Sequence, residues 1–191
     1  MVTVRLCGRT REYRRLAARW SSGDRMEPWL LEIGCHEGIT SSLLARRNQG
    51  RVLAVDRSAQ AVEKAKRRFP SLHLAVLDVA SPRWKEDLGS ELDALGSSWR
   101  HVACCFVDLG GDARLSDVLR ALGSLGAVEA AEEGQPTPDL VVKSEALLRL
   151  YRNSQIGVGF YRYGGELDCE LGTNHQLNAV LKSGANCQTL Q

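Results

Sequence analysis

Nowhere does this chain hold an apolar run approaching the roughly 20 residues that a membrane-spanning helix needs. The first 25 residues lack the apolar core of a secretory signal, so the sequence reads as that of an intracellular protein, cytoplasmic by default. None of the six cysteines (Cys7, Cys35, Cys104, Cys105, Cys169 and Cys187) falls in a Cys-x-x-Cys pair. That argues against a zinc site and for free thiols in a reducing compartment. Cys104 and Cys105 lie inside an apolar strand and read as small core residues. There is no internal repeat and no low-complexity tract. Aromatic residues make up only 6% of the chain, few for a surface that stacks bases.

At 191 residues, 43% apolar and 25% charged, the chain has the means to build one domain with a full core, and residues 1–171 are read as that domain. Residues 172–191 are polar and weakly patterned and read as a loosely held tail. The net charge of +2 hides an uneven spread. Residues 1–68 carry 15 lysines and arginines against 7 acids, and residues 69–191 carry 10 against 16. Such asymmetry fits either a basic face for an anionic partner or a set of solvated helix faces. Much of the positive charge lies in residues 9–20, where Tyr13, Leu16, Ala17 and Trp20 recur at helical spacing and leave Arg9, Arg11, Arg14, Arg15 and Arg19 to water. An Arg-rich start also resembles an organelle transit peptide, but the periodicity favours a structural helix.

From Trp29 the chain alternates apolar strands with helices. The predicted strands are 29–33, 51–55, 72–77, 101–107 and 139–142. The intervening helices are 39–47, closed by Gly50 as a C′ glycine; 58–69, capped by Ser58 and stopped by Pro70; 85–95; 115–125; and 146–152. Residues 129–138 read as a solvated loop. The runs 156–163 and 166–171 flank Gly164-Gly165 and predict an antiparallel hairpin. Five β/α repeats and a hairpin imply an α/β fold: a doubly wound, mostly parallel sheet with helices on both faces and a C-terminal antiparallel hairpin.

The informative stretch is Leu30-Leu-Glu-Ile-Gly-Cys-His-Glu-Gly38. A strand runs into an acid and a glycine loop, then a helix, then a second strand ending at Asp56. A dinucleotide would want G-x-G-x-x-G so that its pyrophosphate could approach the helix. Here Cys35, His36 and Glu37 separate the two glycines, and Glu32 and Glu37 would repel a pyrophosphate. A phosphate-free cation suits the loop better.

Glu32-Ile-Gly-Cys-His-Glu-Gly38 resembles the E/D-x-G-x-x-x-G signature of class I S-adenosylmethionine-dependent methyltransferases. The resemblance covers about residues 27–145. It implies that the loop Gly34, Cys35, His36 and Gly38 passes the methionine part of the cofactor, with Glu32 behind it. Asp56, followed by Arg57, would hold the ribose hydroxyls, for which two acceptor oxygens match two donors. Asp78, followed by Val79, would lie near the adenine amino group, and Asp108 closes the set after the fourth predicted strand. His36-Glu37 departs from the family, where a small residue and a glycine are common.

In this fold, chemistry happens beyond the carboxyl ends of the strands. Asp108 ends the fourth predicted strand and Lys143 the fifth, neighbours in the family's usual order, so both side chains are expected in one crevice as the catalytic pair. A lysine held by an aspartate can help a hydroxyl lose its proton. Val141-Val-Lys143 with Asp108 resembles the FtsJ-like ribose 2′-O-methyltransferases of RNA and their Lys-Asp-Lys-Glu set. The first lysine has no counterpart, only Arg14 and Arg11. The last acid has none either; Glu145 and Glu166 are the nearest. An RNA hydroxyl is therefore the expected acceptor, with RNA a partner through the basic N-terminal half. Two other readings stay open. Phe106-Val-Asp108-x-x-x-Asp112 faintly resembles metal-assisted small-molecule O-methyltransferases, although Lys143-Ser144 stands where they keep metal ligands, and no metal is expected. A non-catalytic cofactor-binding scaffold or partner subunit is the other. The N-P-P-Y/F motif of amino-group methyltransferases is absent.

Overall fold

The computed structural model describes residues 3–21, 27–111, 113–131, 138–153, 160–163 and 166–170. The chain order is β1 (Thr3–Cys7), α1 (Thr10–Arg19), β2 (Trp29–Ile33), α2 (Ile39–Arg47), β3 (Val52–Asp56), α3 (Ala59–Arg68), β4 (His73–Val76), α4 (Trp84–Ala94), β5 (Val102–Val107), α5 (Leu115–Ala131), β6 (Asp139–Lys143), α6 (Glu145–Asn153), β7 (Phe160–Tyr163) and β8 (Glu166–Glu170). The strands form one sheet in the order β4-β3-β2-β5-β6-β1-β8-β7. The first six are mutually parallel, and the β7–β8 hairpin joins antiparallel through β8 against β1. This is the doubly wound sheet and C-terminal hairpin that the alternating pattern predicts. Gly164, Gly165 and the tail from 172 lie outside the described residues.

The sequence reading missed β1. Thr3-Val-Arg-Leu-Cys7 does alternate: Val4 and Leu6 go into one core layer and Cys7 into the other. Five residues of period 2 at a chain end are a weak signal beside the basic helix that follows. The chain therefore carries six strand–helix units, not five, and β1 fills the place between β6 and the hairpin.

Two local expectations also change. Helix α5 runs on through Ala131, so residues 129–131 are helical and not loop. Gly50 is not the C′ residue of α2. The helix ends at Asn48, the left-handed C′ position is taken by Gln49 (φ 52°), and Gly50 N–H donates to the Ala45 carbonyl at 2.9 Å one residue later, in a Schellman-type closure. The Asn48 amide clamps this turn by donating to the carbonyls of Pro28 and Arg51, both at 2.7 Å.

The parallel strands feed alternate residues to the two faces. Leu30, Ala54, Cys104, Phe106 and Val141 meet Tyr13, Ala17, Leu44, Val62 and Ala65 from α1, α2 and α3. Leu31, Ile33, Leu53, Val55, Cys105, Val107 and Val142 meet Trp84, Leu88, Leu92, Val118, Ala121, Leu125 and Leu148 from α4, α5 and α6. Cys104 and Cys105 are completely buried and in no disulfide among the described residues, as core residues should be. Each large side chain in these layers contributes about 1.5–3 kcal/mol by leaving water. Tyr13 packs edge-on against Phe106, with ring centres 5.8 Å apart, and so ties α1 to the centre of β5. The chain reverses its winding between β2 and β5, so their carboxyl ends open a crevice at the point where a doubly wound sheet binds ligands. Among the described residues no helix is long and apolar enough to cross a membrane.

Candidate active site

That crevice is a cleft of about 740 Å³, the size of a small-ligand site. Its floor is made by the strand ends. The Asp108 N–H donates to the Ile33 carbonyl at 2.9 Å, and the N–H groups of Gly34 and Cys35 donate to Val55 at 2.8 and 3.1 Å. The glycine loop is thus stitched to both neighbouring strands. Gly34 takes φ +83°, and a Cβ there would lie 1.8 Å from the Asp108 carbonyl oxygen. Only glycine lets β2 and β5 converge at this point. Gly38 has a different task. It takes φ +77° outside the cleft lining, and a Cβ on it would press on Ala65 and Phe69 at 3.2 Å. It seats the loop on α3 and leaves the ligand contacts to its neighbours.

Asp56 braces the loop from the next strand. One carboxylate oxygen accepts the His36 N–H and the other the Ser58 N–H, each at 2.9 Å. His36 holds φ +48°, a conformation that costs a side-chain-bearing residue strain unless its surroundings fix it, and the Asp56 bond does so. Asp56 keeps further lone pairs free toward the cleft. Asp78 accepts the Ala80 N–H at 2.9 Å and faces the cleft beside Arg57 and the buried Val79. Apart from Gly38, each predicted cofactor residue (Glu32, Gly34, Cys35, His36, Asp56, Arg57, Asp78, Val79 and Asp108) lines this one cleft.

Glu32 is buried to 1% exposure and accepts a hydrogen bond from Ser41 Oγ at 2.5 Å. Burial pushes its carboxyl up to about 8, with the Asp108 charge adding to the rise. Ser41, Tyr13 and the Arg14 charge hold it down, but less strongly. Glu37, by contrast, faces Lys64 and Arg68 at 3.7 and 3.8 Å in half-exposed pairs of the kind worth about 0–1 kcal/mol. Two loop acids therefore repel a pyrophosphate less than their number suggests: Glu37 is paired with α3, and the buried Glu32 favours its proton. What opposes a dinucleotide is the shape of the loop, with His36 and Glu37 where a glycine would have to be.

Asp108 and Lys143 meet as predicted. Lys143 Nζ donates to both carboxylate oxygens, at 2.9 and 3.0 Å, with the side chains only 11% and 16% exposed. The pairing of β5 with β6 places these strand ends side by side. Lys143 does not turn to Glu145, which pairs with Arg149 four residues on and does not line the cleft. Of the two arginines nearest the missing lysine of the Lys-Asp-Lys-Glu set, Arg14 lines the cleft and Arg11 does not. Asp112 and the side chain of Glu166 lie outside the described residues.

The sequence reading missed the wall built by the start of α5 and the residue before it, where Arg114, Asp117 and Arg120 line the cleft. The available signal was polar residues at spacing 3 directly after a strand-end acid.

Residues 30–124 match the family model described as a methyltransferase domain. No curated protein matches the chain. Among solved structures, PRMT6 is 16% identical over 67% of this chain and 40% of its own, with a TM-score of 0.50. DesVI of Streptomyces venezuelae is 18% identical over 84% and 63%, with a TM-score of 0.48. A sugar N-methyltransferase, KedS8, from a Streptoalloteichus species is 15% identical over 70% and 46%, with a TM-score of 0.45. The chain spans about half the length of these proteins. The glycine cradle, the acids at successive strand ends and a cleft sized for a nucleoside joined to an amino acid all fit S-adenosylmethionine. Residues 30–124 are thus a methyltransferase domain of the S-adenosylmethionine-dependent kind.

Proposed function

We propose that the protein methylates a hydroxyl group of RNA. The observation that carries this reading is the Lys143–Asp108 pair at the floor of the cleft. Bound S-adenosylmethionine supplies an already reactive methyl group, so the protein's share of the work is positioning and proton handling. A hydroxyl is a poor nucleophile until its proton leaves. Lys143 and Asp108 present one donor-rich and one acceptor group to the same point, where they can orient a hydroxyl and receive its proton. Asp56 and Asp78 hold the nucleoside end, and the Gly34–Gly38 loop holds the methionine end. Because both Asp108 oxygens already face an ammonium, a metal ion at this carboxylate would have to compete with Lys143. This favours metal-free transfer over the metal-assisted alternative.

The test is incubation with methyl-labelled S-adenosylmethionine and fractionated cell extract, with RNA and small molecules separated afterwards. Label in alkali-resistant nucleotides is the expected result. Label confined to small molecules would replace the acceptor, and no label in any fraction would favour a scaffold.

A further inference from the structure

The cleft is lined by six acids, and all six have partners among the described residues. Asp108 is held by Lys143, and Glu37 by Lys64 and Arg68. Asp56 accepts two backbone N–H groups, Asp78 accepts one, and Asp117 accepts that of Arg114 at 3.2 Å. Glu32, the sixth, is a buried carboxyl bonded to Ser41. Arg14, Arg114 and Arg120 line the same cleft and form no salt bridge among the described residues, although the Arg14 charge is felt at the buried Glu32. The Arg14 Nε is cut off from solvent and makes no hydrogen bond. Leaving such a donor buried costs roughly 1–3 kcal/mol unless a ligand satisfies it.

The lining as a whole is close to charge balance, with Arg14, Arg57, Arg114, Arg120 and Lys143 against the six acids, but Arg14, Arg114 and Arg120 form no salt bridge among the described residues. S-adenosylmethionine brings a single carboxylate and cannot satisfy all three. Anionic groups on the acceptor can satisfy the others. The arginines also come from elements on opposite faces of the sheet. Arg14 is on α1, which packs on one face of the sheet through Tyr13 and Ala17. Arg114 immediately precedes α5 and Arg120 lies on it, and α5 packs on the other face through Val118 and Ala121.

We infer that Arg14, Arg114 and Arg120 form an anion-binding rim that receives phosphate groups of the acceptor on both sides of the Asp108–Lys143 pair. This rests on the RNA reading for its choice of phosphate source. Arginine suits the task because its planar fork matches two phosphate oxygens at once. The hydroxyl to be methylated would then be held between two phosphate contacts, with the chain of the RNA crossing the cleft mouth.

The experiment is fluorescence anisotropy with a labelled single-stranded oligoribonucleotide, from 50 to 300 mM salt, as roughly spans the range where phosphate contacts weaken steeply. It compares the unaltered protein with R114A/R120A and with R14Q. Arg114 and Arg120 are exposed, so their replacement leaves the core intact. Loss of two phosphate contacts is expected to weaken binding at least several-fold and to flatten the log–log salt slope by about 1.4, at about 0.7 per contact on a single strand. Affinity for S-adenosylhomocysteine, measured by calorimetry, is expected to stay within twofold in R114A/R120A. Equal RNA affinity and equal salt slope in that variant would overturn the rim. If the unaltered protein binds no RNA, the RNA reading fails, and inorganic pyrophosphate then probes the rim alone. Thermal stabilisation by pyrophosphate that R114A/R120A loses would uphold an anion site; no stabilisation in either protein would remove it.

Discussion

Ser41 Oγ lies 2.5 Å from a carboxylate oxygen of Glu32, and this hydroxyl is the main hydrogen-bond donor to an acid that the fold has otherwise stripped of water. The pair joins the first turn of α2 to the end of β2, directly beneath the glycine loop. Burial outweighs that bond and leaves the carboxyl favouring its proton up to a pH of about 8, against an ordinary value of 4.5.

A pH dependence follows. The folded state holds the Glu32 proton more tightly than the unfolded chain does. The associated stability is therefore fully present below about pH 4.5 and is lost as pH rises toward 8. The slope is at most about 1.4 kcal/mol per pH unit within that window. Urea denaturation between pH 5 and 9 should show this decline in the unaltered protein, and Glu32→Gln should flatten it. Binding of the cationic cofactor favours the ionised carboxylate, so near pH 7 it should release a proton. Calorimetry in buffers of different ionisation enthalpy should detect that proton, and the Gln variant should bind without releasing it.

Gly34→Ala should harm folding and binding together. Its Cβ would meet the Asp108 carbonyl at 1.8 Å, and φ +83° is strained for alanine even without the clash. Backbone strain alone costs on the order of 1–3 kcal/mol, and parting β2 from β5 adds to it. The denaturation midpoint should fall and the cofactor should bind weakly or not at all. A variant as stable as the unaltered protein would show that β5 can retreat.

Asp56→Ala should weaken cofactor binding by about 10- to 100-fold, as loss of hydrogen bonds to a charged group worth roughly 1.5–3 kcal/mol implies. Part of that loss would be indirect, because the same carboxylate fixes His36 in its left-handed conformation. Asp56→Asn keeps one acceptor oxygen and should recover part of the affinity. Calorimetry with S-adenosylhomocysteine separates the two effects. Unchanged affinity in the alanine variant would confine Asp56 to a loop brace.

Lys143→Met should leave cofactor affinity within about threefold while abolishing methyl transfer. It also leaves Asp108 without its ammonium, and a mostly buried charge that loses its partner costs stability, here roughly 1–3 kcal/mol given the residual exposure of both groups. Substitution of both residues, Asp108→Asn with Lys143→Met, should recover part of that stability and none of the turnover. Full turnover in the single variant would take Lys143 out of the reaction.

The parallel core was legible because its signals are local and redundant. Val52–Val55 and Val102–Val107 are continuous apolar runs that only a strand covered on both faces can bury, and Ser58 and Pro70 mark the two ends of α3. The acids Glu32, Asp56, Asp78 and Asp108 could be placed in one cleft because every parallel strand in a doubly wound sheet ends at the same edge. Strand β1 was not legible, since five alternating residues carry little weight until a sheet edge is there to receive them. Arg114 and Arg120, just before and on α5, were not legible either, because which helix overhangs the cleft depends on how the elements pack together.

By itself the sequence determined the layer order, the cofactor cradle and the two residues most suited to handle a proton. Those features depend on spacing along the chain and on which strand end a residue occupies. Tertiary structure decided the state of the charges. It placed Glu32 out of water, so that it keeps its proton; turned Glu37 outward to α3; brought Lys143 onto both oxygens of Asp108; and left Arg14, Arg114 and Arg120 around the cleft with no salt bridge among the described residues. Charge energies depend on distance and on desolvation, and both are settled only when elements remote in sequence have packed together.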